Sequence, residues 1–153
     1  MALAPEARVW ADLGSGGGFP GLIVAIAIAD RPGAMVHLIE SDTRKAAFLR
    51  EAVRITQAPA IVHNERIESA AERIGTAEVV TARALAPMDK QLLLAYPLLS
   101  AGARGIFLKG QDVDSELTEA AKSWSIDASI QPSLTDPRGR IVLVNRAQPL
   151  GKR

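Results

Sequence analysis

A run of glycines between two apolar segments is the feature that most constrains how this chain can fold. From Val9 to Gly21 the sequence reads VWADLGSGGGFPG, and four of the six residues from Leu13 to Gly18 are glycine. Glycine adopts positive φ at little cost and lets the backbone come close to a ligand. A strand that passes through glycines into a helix is the layout of a nucleotide-binding α/β protein.

Two glycine patterns fit this segment. Residues 16–21 fit G-x-G-x-x-G, the dinucleotide fingerprint. Asp12 and the glycines after it fit D-x-G-x-G-x-G, which resembles the first motif of the class I S-adenosylmethionine-dependent methyltransferases. An acid at that point would repel a pyrophosphate but attract a cationic sulfonium and an α-amino group. The segment favours S-adenosylmethionine over a dinucleotide, and a plain turn stays as the alternative. The predicted contacts here are Asp12, Gly14, Ser15, Gly16 and Gly18.

Composition narrows the class of protein. The chain has 153 residues, 48% of them apolar and 23% charged, with no cysteine and a net charge of +1. These values predict one globular domain spanning residues 1–153, without disulfides or a thiolate metal site. The longest apolar run, residues 22–29, is too short to cross a bilayer, and no signal peptide is visible. We expect a cytoplasmic protein with no membrane segment, and nothing in the sequence indicates anything but a monomer.

Strand and helix patterns alternate along most of the chain, which predicts a largely parallel sheet covered on both faces. The predicted strands are 8–12, 35–40, 60–64, 77–83, 104–110, 126–130 and 141–145. The predicted helices are 19–29, 43–56, 69–73, 87–99 and 112–124, the first apolar on nearly all sides and therefore expected to be buried. The order predicts an α/β, Rossmann-like fold with a seven-stranded sheet whose last strand is antiparallel, as in the class I methyltransferases.

Charged side chains follow the predicted strands at the carboxyl edge of the sheet, where ligands bind in open α/β folds. Glu40 is placed to accept hydrogen bonds from both ribose hydroxyls of an adenosine, with Ser41 beside it. Ile67 could pack on the adenine ring with Glu68 next to it, unless Glu68 only begins a helix. These residues complete the predicted cofactor site.

Two basic residues end the next strands along this edge. Arg83 closes the fourth strand, where it could pair with Glu40, with the methionine carboxylate or with an RNA phosphate, because an unpaired buried charge is costly. Lys109 ends the fifth strand with the same possibilities, or it snorkels at the sheet edge. His37 and His63 are interpreted as structural, and no metal site is predicted.

The methyl acceptor is narrowed by residues that are missing. The chain has no cysteine for attack on a pyrimidine ring. The Asn/Asp-Pro-Pro-aromatic tetrapeptide common in amine methylation is replaced by residues 83–87, RALAP. An acceptor with a free lone pair, such as guanine N7, needs no general base, so catalysis would rest mainly on positioning.

Five motifs together resemble the 16S ribosomal RNA (guanine-N7) methyltransferases, the RsmG or GidB family. They are DLGSGGGFPG at 12–21, LIES at 38–41 followed by Arg44, Lys45, Phe48 and Leu49, RIE at 66–68, RALAP at 83–87 and LKG at 108–110. The resemblance implies methyl transfer to N7 of one guanine of 16S rRNA in the small ribosomal subunit. It implies that Gly14, Phe19, Ile67, Glu68 and Arg83 contact the cofactor. It also implies that Lys109 and Arg140 face the RNA.

One departure from the family and two alternative functions complete the expectations. Members of the family carry a helical segment before the first strand, which this chain would lack, so we expect weak cofactor binding and exposed apolar surface. An NAD(P)-dependent oxidoreductase is one alternative, although Tyr96 lacks the lysine of a Tyr-x-x-x-Lys pair. A non-catalytic RNA-binding module that retains the fold is the other.

Overall fold

A seven-stranded sheet organises the computed structural model, which describes residues 3–83 and 86–151. The strand order is β3-β2-β1-β4-β5-β7-β6, and β7 alone runs antiparallel to the other six strands. The strands are β1 Val9–Leu13, β2 Met35–Ile39, β3 Ala60–His63, β4 Val79–Ala82, β5 Arg104–Lys109, β6 Trp124–Pro132 and β7 Arg140–Pro149. The helices are α1 Gly21–Ala27, α2 Thr43–Thr56, α3 Ile67–Ile74, α4 Met88–Ser100 and α5 Val113–Ala120. The predicted fold class, including the antiparallel last strand, is confirmed.

Each face of the sheet carries its own hydrophobic core, because successive strand residues point to opposite faces. On β1, Trp10 packs with α1 and α2, while its neighbour Ala11 packs with the cluster under α3, α4 and α5. Val79 and Val80 of β4 divide between the same two cores. All four residues of β4 are buried, as expected of a central parallel strand.

Helix α1 differs from the prediction in its length and in its burial. It begins at Gly21 rather than Phe19, which lies in the preceding turn, and it ends at Ala27. It is not buried on all sides, because Ile23 and Ile26 are 53% and 44% exposed. A helix on the outside of a sheet buries only the face it turns to the sheet, here through Leu22 and Ala25.

The predicted helix at residues 112–124 is too long at its carboxyl end. Helix α5 stops at Ala120, and Trp124 begins strand β6, paired with Pro149 of β7. The Trp124 ring is buried and meets Tyr96 edge-on at a centroid distance of 5.6 Å. Strand pairing and this aromatic contact, both made with distant residues, override the local helical pattern.

Strands β6 and β7 form an antiparallel hairpin that is longer than predicted. The pairing runs from Trp124 with Pro149 to Pro132 with Arg140, with an irregularity between Asp127 and Ala128. Its turn therefore lies at the carboxyl edge, beside the end of β5. No helix in the described ranges is long and apolar enough to cross a membrane.

Candidate functional site

The turn after β1 is a tight loop whose glycines have the predicted backbone freedom. Gly14, Gly16 and Gly18 have φ of 69°, 53° and 97°, values that favour glycine strongly. The amide of Ser15 donates to the Ile39 carbonyl oxygen at 2.8 Å, and the amide of Gly18 donates to Ser15 O at 2.8 Å. Two of the loop amides therefore hold the loop itself.

Glu40 connects this glycine loop to the end of β2. Its Oε1 accepts the amide of Gly16 at 2.8 Å, and its Oε2 accepts the amide of Asp42 at 2.8 Å. The side chain is largely buried between the two loops. Each carboxylate oxygen can accept a further hydrogen bond, so Glu40 can hold the loop and still receive a hydroxyl donor.

Asp12 lies beneath the glycine loop rather than on its surface. The residue is 1% exposed, and its Oδ1 accepts a 2.6 Å hydrogen bond from the Thr81 hydroxyl. Its Oδ2 has no hydrogen-bond partner within the described part of the chain. Burial raises the pKa of Asp12 to about 6, although the hydrogen bond from Thr81 and the positive charge of Arg83 lower it. Because the Asp12 side chain is buried, it does not reach the surface where the sequence predicts contact with a cofactor. It supports the loop from below.

Arg83 is exposed at the end of β4 and lies over the glycine loop. A Cβ added to Gly16 would be 3.1 Å from Arg83 Nη2, so the guanidinium lies close against the backbone of this glycine. Arg83 makes no side-chain hydrogen bond or ion pair with another described residue, Glu40 included, so its donors can serve a ligand. Ala84 and Leu85 of the RALAP motif are outside the described residues.

Lys109 does not face the solvent, which is at odds with its expected position against RNA. Its side chain is 2% exposed. The Nζ atom donates to Ala86 O at 2.8 Å and to Gln91 Oε1 at 2.7 Å, and it pairs with Glu116 Oε1 at 2.9 Å. The three N–H donors of this ammonium are therefore all used inside the protein. Sequence reasoning missed Gln91 and Glu116, since no local pattern connects them to Lys109.

A cavity of about 590 Å³ opens at the carboxyl edge between Arg83, Phe19 and the β6–β7 turn. Phe19 is 53% exposed, and Leu134 at the turn is fully exposed. Arg140 also borders the cavity, but its Nη1 donates to Pro137 O and Gly139 O at 3.0 and 2.9 Å. The turn itself was missed as part of the site, because its sequence indicates only a turn.

The remaining predicted cofactor residues lie beyond β2 and β3. Ser41 is exposed, and its carbonyl oxygen accepts the Asn64 amide nitrogen at 3.1 Å. Ile67 and Glu68 lie in the first turn of α3, which begins two residues before the predicted start. Ile67 is half-buried against the core and Glu68 is exposed, so Glu68 both begins a helix and is open to a ligand.

The two histidines contact each other on neighbouring strands. His37 Nδ1 and His63 Nε2 are 2.9 Å apart, and Arg73 Nη2 donates to His63 Nδ1 at 2.9 Å. Burial lowers the pKa of both histidines, and the positive charge of Arg73 lowers it further. Across residues 3–83 and 86–151, no group of three or more histidine, aspartate or glutamate side chains could hold a metal ion.

Comparison with solved structures shows the same fold. A variant of MtNAS in complex with S-adenosylmethionine superposes with a TM-score of 0.67, covering 95% of this chain and 58% of that one. Its sequence is only 15% identical, so the likeness concerns the fold alone.

Comparison with curated relatives is closer. The chain is 53% identical over 146 residues to the ribosomal RNA small subunit methyltransferase G of Bradyrhizobium sp. strain BTAi1, covering 95% of this chain and 66% of the relative. It is 52% identical over 145 residues to the protein of the same name from Parvibaculum lavamentivorans, covering 94% and 64%. The chain thus spans just under two thirds of the length of these relatives. The family model "rRNA small subunit methyltransferase G" (GidB) matches residues 1–140. With the glycine loop, Glu40 and Arg83 at one sheet edge, the chain belongs to the GidB family of small-subunit rRNA methyltransferases.

Proposed function

We propose that this protein transfers a methyl group from S-adenosylmethionine to N7 of a guanine in bacterial 16S rRNA. The observation that carries the proposal is one juxtaposition at the carboxyl edge. The glycine loop is tied to Glu40 through Gly16, Arg83 lies over the same glycine, and a cavity of about 590 Å³ opens beside them. Membership of the GidB family supports the same conclusion.

The residues at this edge fit S-adenosylmethionine better than a dinucleotide. Glu40 keeps free lone pairs for ribose hydroxyls, and exposed Glu68 and half-buried Ile67 are available to an adenine. Two carboxylates, Asp12 and Glu40, lie at or beneath the loop, which disfavours a pyrophosphate. Bound S-adenosylmethionine supplies an activated methyl group; the chain supplies the cradle that orients it. An oxidoreductase has no comparable support from these residues.

The acceptor side requires positioning more than proton transfer. Guanine N7 offers a lone pair, so the protein does not need to remove a proton before the methyl group is transferred. The cavity beside Arg83 has room for a single base, and Phe19 and Leu134 give it apolar walls. Arg83 and the exposed Arg138 can contact phosphates and fix the position of the nucleotide without reading its sequence.

We further propose that the substrate is presented as 16S rRNA or as the small ribosomal subunit, that the protein acts as a monomer, and that it works in the cytoplasm. The RNA substrate is proposed from the family, since the relatives are named ribosomal RNA small subunit methyltransferases. The monomeric state and the location are proposed from the sequence alone.

Two measurements test the function. Calorimetry with S-adenosylmethionine and, separately, with NADH should show binding of the first alone. Methyl transfer from labelled S-adenosylmethionine should then be measured on bare 16S rRNA, intact small subunits and a control RNA of equal length. We expect 7-methylguanosine in one ribosomal substrate and none in the control. Binding of rRNA without any transfer would favour the non-catalytic RNA-binding alternative, and binding of NADH would favour the oxidoreductase.

A further inference from the structure

A polar cluster lies under the cavity, made of buried Lys109 at the end of β5, buried Gln91 in α4 and half-buried Glu116 in α5; we call it the Lys109 cluster. Gln91 is 1% exposed, and the Lys109 side chain is almost completely buried. Lys109 Nζ contacts Gln91 Oε1 at 2.7 Å and Glu116 Oε1 at 2.9 Å. Three elements of the fold thus meet at one ammonium group.

The Lys109 cluster also binds the backbone on both sides of residues 84 and 85. Gln91 Nε2 donates to the Arg83 carbonyl oxygen at 2.8 Å. Lys109 Nζ donates to Ala86 O at 2.8 Å, and the amide of Met88 donates to Glu116 Oε1 at 3.1 Å. The segment that joins β4 to α4 is therefore hydrogen-bonded to the cluster at Arg83, at Ala86 and at Met88.

A cluster of this kind is hard to explain by stability alone. Replacing a buried ion pair by well-packed apolar side chains is often neutral or even stabilising, so the pair is weak evidence for a purely stabilising role. The hydrogen bonds from the cluster to the backbone fix the conformation of this segment, because each bond is directional and each one involves a different backbone group. The backbone that it orients carries Arg83.

We infer that Gln91, Lys109 and Glu116 are positioning residues for methyl transfer, which hold the Arg83 backbone so that its guanidinium stays over Gly16 at the mouth of the cavity. This inference rests on the proposed function. It assigns Lys109 to the support of Arg83 and not to contact with RNA. The most direct of these contacts is the hydrogen bond from Gln91 Nε2 to Arg83 O, because it holds the backbone of the residue that carries the guanidinium.

Gln91→Glu is the sharpest test, because it removes one contact and keeps another. A carboxylate can still accept from Lys109 Nζ, but it has no N–H to donate to Arg83 O. We expect the dissociation constant for S-adenosylmethionine to stay within about twofold, and kcat for methyl transfer to fall at least about tenfold, or about 1.4 kcal/mol. Gln148→Glu makes the same chemical change at an exposed position of β7, paired with Ser125 at the other end of the hairpin, and should leave kcat unchanged.

A double-mutant cycle with Arg83→Ala separates positioning from a general loss of structure. If Gln91 acts through Arg83, then adding Gln91→Glu to Arg83→Ala should lower kcat by less than about twofold. Equal, additive losses in the two backgrounds would overturn the inference, and so would an unchanged kcat for Gln91→Glu alone.

Glu116 gives an independent check that does not depend on Gln91. Glu116→Gln keeps an oxygen for Met88 and Lys109 and should retain most of the activity, whereas Glu116→Leu should lose it at a temperature where the protein is still folded by circular dichroism. Glu119→Leu, an exposed change in the same helix, is the control. Equal kcat for both Glu116 variants would contradict a positioning role.

An unaltered protein that binds no S-adenosylmethionine and methylates no ribosomal substrate overturns the proposed function instead, so the two failures can be told apart.

Discussion

The Glu40 carboxylate accepts the Gly16 amide at 2.8 Å, which fixes the glycine loop of β1 to the end of the neighbouring strand β2. One side chain thereby serves both the shape of the loop and the edge where a ribose would bind.

Glu40→Ala should therefore weaken binding of S-adenosylmethionine at least about tenfold, a loss of about 1.4 kcal/mol. It removes the tie to Gly16 and the acceptor for ribose hydroxyls together. Titration calorimetry measures the dissociation constant. Glu78→Ala is the matched control, because Glu78 also accepts two backbone amides, those of Arg8 and Val9, but at the opposite edge of the sheet. An unchanged dissociation constant for Glu40→Ala would rule out its place in the site.

Gly21→Ala should destabilise the fold by at least about 2 kcal/mol, because overpacking a filled site forces its neighbours to move. A Cβ at this position would clash with Asp12 Oδ2 and would lie 2.6 Å from Leu38 Cδ2. Urea unfolding gives the free energy. Gly17→Ala, where a Cβ would meet nothing within 4 Å, should change it by less than about 0.5 kcal/mol. Similar losses for both variants would show that α1 is not packed against β1 as described.

Asp12 should make the free energy of unfolding fall as the pH rises from about 4 to above 6. Burial raises its pKa to about 6 in the folded protein, so between the two pKa values the folded state holds more protons than the unfolded state. The buried charge formed above this range costs about 3 kcal/mol. Urea unfolding of the protein and of Asp12→Asn, at several pH values, measures the difference. As the pH rises, the free energy of unfolding of Asp12→Asn should gain about 3 kcal/mol relative to that of the unaltered protein. A difference that does not change with pH would contradict a raised pKa.

Leu134→Ser should raise KM for the RNA substrate at least about tenfold, the lower end of what burying a leucine side chain contributes. Leu134 is fully exposed at the cavity, so it has no contact to lose in the free protein, and stability and S-adenosylmethionine binding should stay unchanged. Ile55→Ser, which changes an apolar residue of α2 that is 66% exposed, is the control. Steady-state methyl transfer at saturating S-adenosylmethionine gives KM, and equal values for the two variants would exclude Leu134 from the RNA contact.

The features that sequence predicts correctly are those encoded by near neighbours. The glycines with positive φ and the alternation of strands and helices both arise from residues a few positions apart. The carboxyl edge follows from the same alternation, because parallel strands all end on one side of the sheet. The position of Glu40 and Arg83 at that edge is therefore predicted from the sequence alone.

The sequence by itself determined the class I methyltransferase fold, the glycine loop and the strand ends that surround it, since hydrophobic period and backbone freedom are local properties. Only the tertiary structure decided that Asp12 lies under the loop, that Lys109 faces inward, and that the β6–β7 turn walls the cavity. Those outcomes depend on partners far along the chain: Thr81 lies 69 residues from Asp12, and Gln91 lies 18 from Lys109. Burial and hydrogen-bond satisfaction are properties of the packed molecule, and no window of sequence contains them.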